Sequence, residues 1–158
     1  MPVRWMSKEK CFKLLKKAVY GRLATCDNDY QPYITPVNFV LNDEKIYFHC
    51  GFKGQKIRNI KSNSKVCFEV SRHGKLYAAP HAKNFSMRYW SILVFGQASQ
   101  INDEKKKLFV MNELMEKYAT GYEYAPLTLA DMKTCNLVEI SIDKITGKVS
   151  VDPEKRGV

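Results

Sequence analysis

The residues best suited to chemistry stand in one segment, which reads Tyr-Phe-His-Cys-Gly-Phe-Lys-Gly-Gln-Lys-Ile-Arg from Tyr47 to Arg58. A predicted strand ends there at Cys50, a loop with two glycines follows, and a short helix begins after the second glycine. Backbone N–H groups at a helix start favour an anion, and a neighbouring lysine adds a full positive charge. Basic residues are unfavourable at a helix N-terminus, so Lys53, Lys56 and Arg58 need an explanation. The segment indicates either a phosphate site or a surface loop with solvated lysines.

Two other segments carry candidate binding residues. Pro36-Val37-Asn38-Phe39 places an amide between apolar residues, where it either pairs with the backbone or meets a ligand. The stretch from Met87 to Gly96 is apolar and includes Trp90 and Ser91. Its aromatic residues are more typical of a core or an interface than of a platform for a cofactor.

The sequence gives little support to nucleophilic catalysis or to a metal site. His49 and Cys50 are adjacent on a predicted strand, so their side chains point to opposite faces and do not form a dyad. The five cysteines are scattered without a Cys-x-x-Cys pair, and the three histidines lack zinc-ligand spacing. We therefore expect reduced thiols and no metal. If the protein is an enzyme, its reactive group comes from a cofactor.

Composition limits the class of protein. The chain has 158 residues, of which 45% are hydrophobic and 27% charged, as expected for a single globular domain over residues 1–158. A net charge of +10 would suit a nucleic acid or an anionic ligand. The basic residues are spread over many segments without an arginine-rich block, so we expect no nucleic-acid partner and favour a small phosphate-bearing molecule. The basic start lacks the apolar run of a signal peptide, and no stretch is long enough to cross a bilayer, so we expect a cytoplasmic protein.

Periodicity and turn residues predict about six strands and three helices. The predicted helices follow Ser7, cover Gln55–Ile60 and follow Asp103; the predicted strands are Arg22–Cys26, Pro32–Leu41, Lys45–Cys50, Lys65–Ser71, Tyr89–Ile101 and one or two over Leu137–Val149 with a turn near Thr146-Gly147. The helix after Asp103 is expected to bury Leu108, Met111, Leu114, Met115 and Tyr118. We expect a loop or part-strand over His73–Phe85 and a bulge at Gly96. Strands in hairpin order indicate a mainly β protein, an antiparallel sheet closing into a barrel with flanking helices.

Six motifs in this order resemble the flavin-binding split-barrel superfamily of pyridoxamine 5′-phosphate oxidase, most closely its nitroimidazole-resistance branch. They are Gly21-Arg22-Leu23-Ala24-Thr25, the run from Pro32 to Val40, Lys45 to Cys50, Gly54-Gln55-Lys56, Val66 to Val70, and Arg88 to Gly96. The resemblance extends from about Ser7 to Gly147. It implies an antiparallel split β-barrel that works as a homodimer, with FMN at the subunit interface.

The resemblance also implies a role for each candidate residue. Pro36, Val37, Asn38 and Phe39 would edge the isoalloxazine ring, and His49 and Cys50 would lie by the ribityl chain. Lys56 would hold the phosphate, helped by Lys53, Gly54 and Gln55. Trp90 and Ser91 would form the second half of the pocket. Three of these positions differ from the residues usual in the relatives: Gln55, Trp90 and Ser91. These differences affect the assignment of the substrate more than that of the fold.

The implied activity is that of an FMN-dependent oxidoreductase acting on a small acceptor such as a nitroaromatic compound, with NAD(P)H as a candidate donor. One alternative is a split barrel that holds flavin or haem without turnover, with His81 as the haem ligand to test. A basic nucleic-acid-binding protein is a second alternative, and a deazaflavin in place of FMN is a third. Pyridoxamine phosphate oxidation is not expected, because the basic C-terminal motif of that enzyme is not recognisable in 152–158.

Overall fold

Strands dominate the chain, as its alternating apolar residues predict. The computed structural model describes residues 3–150. The strands are β1 (Val3–Trp5), β2 (Gly21–Cys26), β3 (Pro32–Val37), β4 (Val40–Asn42), β5 (Lys45–Cys50), β6 (Lys65–Tyr77), β7 (Ser86–Gln100) and β8 (Asn136–Ser150). The helices are α1 (Lys8–Lys17), α2 (Gln55–Ser62) and α3 (Glu104–Tyr118), with 3-10 turns at Ala82–Asn84 and Asp131–Lys133. Ser7 and Asp103 cap α1 and α3 as predicted, each by accepting a backbone N–H in the first turn.

The strands form one antiparallel sheet in the order β3-β2-β6-β7-β8-β5-β4, and β1 pairs with the end of β8. The fold is therefore the antiparallel split barrel with flanking helices that the sequence predicts. The expectation of a closed barrel is wrong in one respect: in residues 3–150, no ladder joins β3 to β4. Pro32 and Pro36 have no N–H to donate to a ladder. They lie on β3, which is an edge strand, as the sequence predicts.

The main core fills the inside of the curved sheet and is closed by α1 and α2. Phe39, Phe48 and Phe68 are fully buried there, and the Phe39 and Phe68 rings meet edge to face with centroids 4.9 Å apart. Ile57 and Ile60 of α2 point into this core, as their spacing predicts. Helix α2 therefore lies against β2 and β3, with its first turn beside the end of β5.

Two predicted strand boundaries are wrong. The strand predicted over Pro32–Leu41 is two strands, because the chain leaves β3 after Val37 and crosses to the other edge of the sheet through Asn38 and Phe39. The strand predicted over Lys65–Ser71 is longer, because β6 continues to Tyr77, which makes the first part of His73–Phe85 the part-strand that is one of the two expectations. Pairing of Leu76 with Met87 extends the β6–β7 hairpin beyond the register shift that follows His73.

The predicted turn near Thr146-Gly147 is absent from the described chain, since β8 runs unbroken to Ser150. Gly147 pairs with Ile92 in the middle of the sheet, where an added Cβ would lie 2.5 Å from the Cys11 sulfur. This glycine therefore serves close packing of α1 on β8. The expected bulge at Gly96 is confirmed, because the β7–β8 register shifts between Phe95 and Gly96.

The predicted apolar face of α3 is confirmed in part, because Leu114 is buried and Met111 and Tyr118 pack against the same buried cluster. The buried residues of the helix are Lys107, Val110 and Leu114, and the other four predicted residues are partly exposed. Lys107 is buried although it is a lysine, and its ammonium donates to the carbonyl oxygens of Met132 (3.2 Å) and Cys135 (3.0 Å). A lysine stem can be buried when its charged end finds such acceptors.

Candidate functional site

The loop between β5 and α2 has the geometry of an anion site. Gly54 precedes α2 with φ of 125°, a conformation that a residue with a Cβ rarely adopts. Helix α2 starts with the Arg58 N–H bonded to the Gly54 carbonyl (3.1 Å), so the earlier N–H groups have no partner within the helix. Lys53 is exposed and Lys56 half-buried, and the first turn holds no acidic residue. The start of α2 thus combines backbone N–H groups without helix partners with two nearby lysines and no acidic residue in its first turn.

A buried polar chain holds α2 in place. The side chain of Asn59 is fully buried and donates to the Thr25 hydroxyl of β2 (3.0 Å). Thr25 in turn donates to the Tyr33 carbonyl of β3 (3.4 Å). Gln55 donates its amide to the Asn59 oxygen (2.7 Å) and accepts from Arg58. The Gln55 side chain is thus engaged in hydrogen bonds within α2, and these compete with its predicted phosphate contact. The backbone N–H of Gln55 lies at the helix start and has no partner within the helix.

His49 and Cys50 end β5 on opposite faces, as alternation predicts, with His49 exposed and Cys50 buried. Asn136 of β8 donates to the Cys50 sulfur (3.5 Å) and to the Gly51 carbonyl (3.0 Å). Burial raises the pKa of the Cys50 thiol, and the nearby Lys56 ammonium only partly opposes this effect. Cys50 is thus a neutral thiol at neutral pH and provides no nucleophile.

The crossover from β3 to β4 is held by two residues of α3 that the sequence analysis did not select. Tyr118 lies on the predicted face of that helix, but no local signal links it to Phe39. Its hydroxyl accepts from the Phe39 N–H (2.9 Å) and lies 2.6 Å from the Val19 carbonyl. A hydroxyl has one proton, so it donates to Val19 while Lys117 donates to the Phe39 carbonyl (2.8 Å). These bonds fix the backbone of Phe39 and leave the Pro36 and Asn38 side chains exposed.

Lys117 is partly buried above an aromatic ring. Its ammonium lies 4.2 Å from the centroid of the Phe39 ring and 5.2 Å from that of Tyr118. Such contacts favour a cation, but they do not replace the water removed by folding. Burial therefore lowers the pKa of Lys117 to about 8.

This pKa predicts a stability change with pH. Unfolding returns Lys117 to its ordinary pKa of 10.5, so the unfolded chain binds more protons than the folded one between about pH 8 and 10.5. The penalty of burying the charge is full below pH 8 and disappears as the pH rises through this window. After allowance for partial exposure, we expect the wild type to gain on the order of 1–2 kcal/mol relative to Lys117→Met between pH 7 and 10.5.

Urea unfolding of both proteins across that range measures the effect, and titrations common to both cancel in the difference. A constant difference between the two curves would show that Lys117 titrates like an exposed lysine.

Trp90 and Ser91 lie far from the β5–α2 loop within one chain. They pair with Val149 and Lys148 on β8, whereas His49 pairs with Leu137 near the start of that strand. At about 3.3 Å per residue, Leu137 and Lys148 are about 36 Å apart along β8. The β5–α2 loop and the Trp90 group therefore lie at opposite ends of β8, although Trp90 packs against the same core that contains Phe39 of the crossover.

Other chemistries find little support in the described residues. Between residues 3 and 150, no group of three or more His, Cys, Asp or Glu residues could hold a metal ion. His81 is exposed before a 3-10 turn. Of the helices in the described range, none is long and apolar enough to cross a membrane.

Comparisons with known proteins agree with this architecture. A family model for pyridoxamine 5′-phosphate oxidase matches residues 7–149. An uncharacterized protein of Rhizobium meliloti (strain 1021) is 31% identical over 102 residues, which cover 64% of this chain and 59% of that protein. The match thus spans less than two thirds of that relative.

Three solved structures share the fold. A candidate 5-nitroimidazole antibiotic resistance protein of Bacteroides thetaiotaomicron has a TM-score of 0.78 and 24% identity, covering 94% of this chain and 89% of its own. An FAD-binding protein of Mesorhizobium loti has a TM-score of 0.71 and 25% identity, covering 96% and 100%. An FAD and heme binding protein of Mycobacterium smegmatis has a TM-score of 0.82 and 19% identity, covering 94% and 74%. Because the family model spans nearly the whole chain and the sheet is a split barrel, this chain belongs to the pyridoxamine 5′-phosphate oxidase family.

Proposed function

We propose that this protein binds FMN and works as a flavin-dependent oxidoreductase in the cytoplasm. The observation that carries the proposal is the start of α2, where Gly54 has a positive φ, the first N–H groups lack helix partners, and Lys53 and Lys56 are nearby in sequence with no acidic residue in the first turn. This donor set suits a phosphate monoester. The FAD-binding relatives of the same fold support a flavin as the molecule that carries the phosphate.

The other candidate residues take the roles that the family resemblance gives them. Pro36, Val37, Asn38 and Phe39 would meet the edge of the flavin ring, held in position by Lys117 and Tyr118. His49 and Cys50 would lie beside the ribityl chain. A bound flavin would supply hydride and electron transfer, and the chain's own residues bind and orient it.

We also propose that the protein is a homodimer whose two copies complete each site. The separation of Trp90 and Ser91 from the β5–α2 loop supports this, because one chain does not bring both groups to one ligand. Exposed apolar side chains on the β6–β7 hairpin, Leu76 and Met87 among them, provide surface that a second copy could cover.

The acceptor that this proposal favours is a small nitroaromatic molecule, and NAD(P)H is the donor. Overall, NAD(P)H gives up a hydride, and the nitro group takes two electrons and two protons and releases water, leaving a nitroso group. The Bacteroides relative, a candidate 5-nitroimidazole resistance protein, supports this choice of acceptor.

The visible absorption spectrum of the freshly purified protein, repeated after incubation with FMN and gel filtration, tests the proposal. We expect flavin bands that elute with the protein at about one per chain, at the elution volume of a dimer. Parallel incubations with FAD and a deazaflavin show which flavin is preferred. A colourless protein that does not retain any flavin would refute the proposal, and a Soret band would favour a haem module with His81 as the ligand to test. Bound flavin without NAD(P)H oxidation would favour a non-catalytic module.

A further inference from the structure

A cleft lies between the end of α1 and the sheet, on the surface of β2, β6 and β7. Its volume is about 600 Å³, and the residues that determine its chemistry are Lys17, Tyr20, Arg22, Arg72, His73 and Trp90. None of the side chains that line it in the described chain is a carboxylate. The cleft thus combines aromatic walls with a cationic rim.

The positive charge of this cleft is only partly neutralised. Arg22 binds Glu69 (2.8 Å) and lies over the ring of Tyr20. Arg72 has no ion pair with the described residues, and the chain from Ser71 to Asn102 contains no Asp or Glu. A guanidinium that has no carboxylate partner in the protein is available to form two parallel hydrogen bonds to the carboxylate of a ligand.

The register places this arginine beside an aromatic surface. Arg72 of β6 lies directly opposite Trp90 of β7, so their side chains leave the sheet on the same face, about 5 Å apart at Cβ. Tyr20 lines the same cleft and is half exposed. A flat aromatic ring can stack on such walls while its acidic group meets Arg72.

The cleft also borders the crossover from β3 to β4. Arg22 pairs with Pro36 across β2 and β3, and the carbonyl of Val19, a cleft residue, accepts from the Tyr118 hydroxyl that also holds Phe39. A molecule in the cleft would thus lie beside the segment assigned to the flavin ring edge.

We infer that this cleft binds a planar aromatic anion, a carboxylate in particular, through Arg72 and Trp90, and that the acceptor of the proposed reaction belongs to this class. The cleft is a binding site in its own right, whereas the role of its ligand as acceptor rests on the proposed function. The specificity would come from charge, since a neutral molecule of the same shape gains the stacking but not the bonds to Arg72.

The fluorescence of Trp90 can test this without flavin. The chain has 2 tryptophans, and Trp5→Phe leaves Trp90 as the reporter. The flavin-free Trp5→Phe protein is titrated with 4-nitrobenzoate and with neutral 4-nitrobenzamide, both of which quench indole. We expect saturable quenching with a Kd about tenfold lower for the carboxylate. Adding Arg72→Gln should remove this preference and leave the amide unchanged, whereas the matched control Lys105→Gln, on the first turn of α3, should keep it.

Two outcomes would contradict the inference: equal affinity for both compounds, or equal effects of Arg72→Gln and Lys105→Gln. Failure of the protein to bind FMN would refute the proposed function but not this inference, since the titration uses no flavin.

Discussion

Replacing Gly96 by alanine is expected to lower the free energy of unfolding by about 3 kcal/mol. Gly96 lies in β7 between β6 and β8, and an added Cβ would stand 2.1 Å from the carbonyl oxygen of Ser141 and 3.2 Å from Ile140. The first contact is with backbone in a neighbouring strand, which cannot rotate away as a side chain can. Either the β7–β8 ladder separates at the bulge or the alanine is strained.

Gly51→Ala is the matched control, because its added Cβ would lie 3.7 Å from the nearest atom, an ordinary contact. Urea unfolding of both variants measures the difference. We expect Gly51→Ala to stay within about 0.5 kcal/mol of wild type. If Gly96→Ala loses as little stability as Gly51→Ala, β8 shifts to admit the methyl group and the expected strain is wrong.

Local signals predicted much of the fold. Ser7 and Asp103 cap their helices because a side-chain oxygen at that position accepts an N–H of the first turn, which depends on a few neighbouring residues only. The helix over Gln55–Ile60 follows from the spacing of its apolar residues in the same way. The start of α2 was selected as an anion site because its glycine and lysines are contiguous in sequence.

The rest depends on residues distant in sequence. The run from Pro32 to Leu41 is rich in β-forming residues, and it breaks at Asn38 and Phe39 because Tyr118 and Lys117 bind the Phe39 backbone. No residue near Phe39 in the sequence indicates that these two hydrogen bonds form. Lys117 looks like a solvated lysine on a helix, and only its position over the Phe39 ring reveals that it is half-buried.

The two candidate binding sites show the same dependence on residues distant in sequence. The β5–α2 loop could be selected from one segment, whereas Arg72 and Trp90 become neighbours only through the β6–β7 register. The family resemblance assigns Trp90 to the flavin pocket and gives no role to Arg72. The signal that could have drawn attention to Arg72 is the absence of any acidic residue from Ser71 to Asn102; the preceding Glu69 is paired with Arg22, which only the structure shows.

Replacing Lys56 by alanine is expected to weaken FMN binding by about 1.5–3 kcal/mol, or about 10- to 150-fold in Kd, the usual scale for a charge-assisted hydrogen bond. Lys56 stands in the first turn of α2, close enough for its charge to act on the Cys50 thiol at the end of β5. Helix α2 is fixed to β2 through Asn59 and Thr25, so the chain cannot readily move another cation into its place.

Lys61→Ala provides the matched control, since it removes the same charge from the last turn of the same helix. Isothermal titration of both variants with FMN and with riboflavin separates the effects. If Lys56 holds the phosphate, Lys56→Ala weakens FMN but not riboflavin, which lacks that group, and Lys61→Ala changes neither by more than about twofold. Equal losses for FMN and riboflavin would place Lys56 beside the ring or ribityl chain instead. Unchanged affinity for both would remove it from the site, because a first-turn lysine facing a bound phosphate cannot be deleted without loss of that charge–charge attraction.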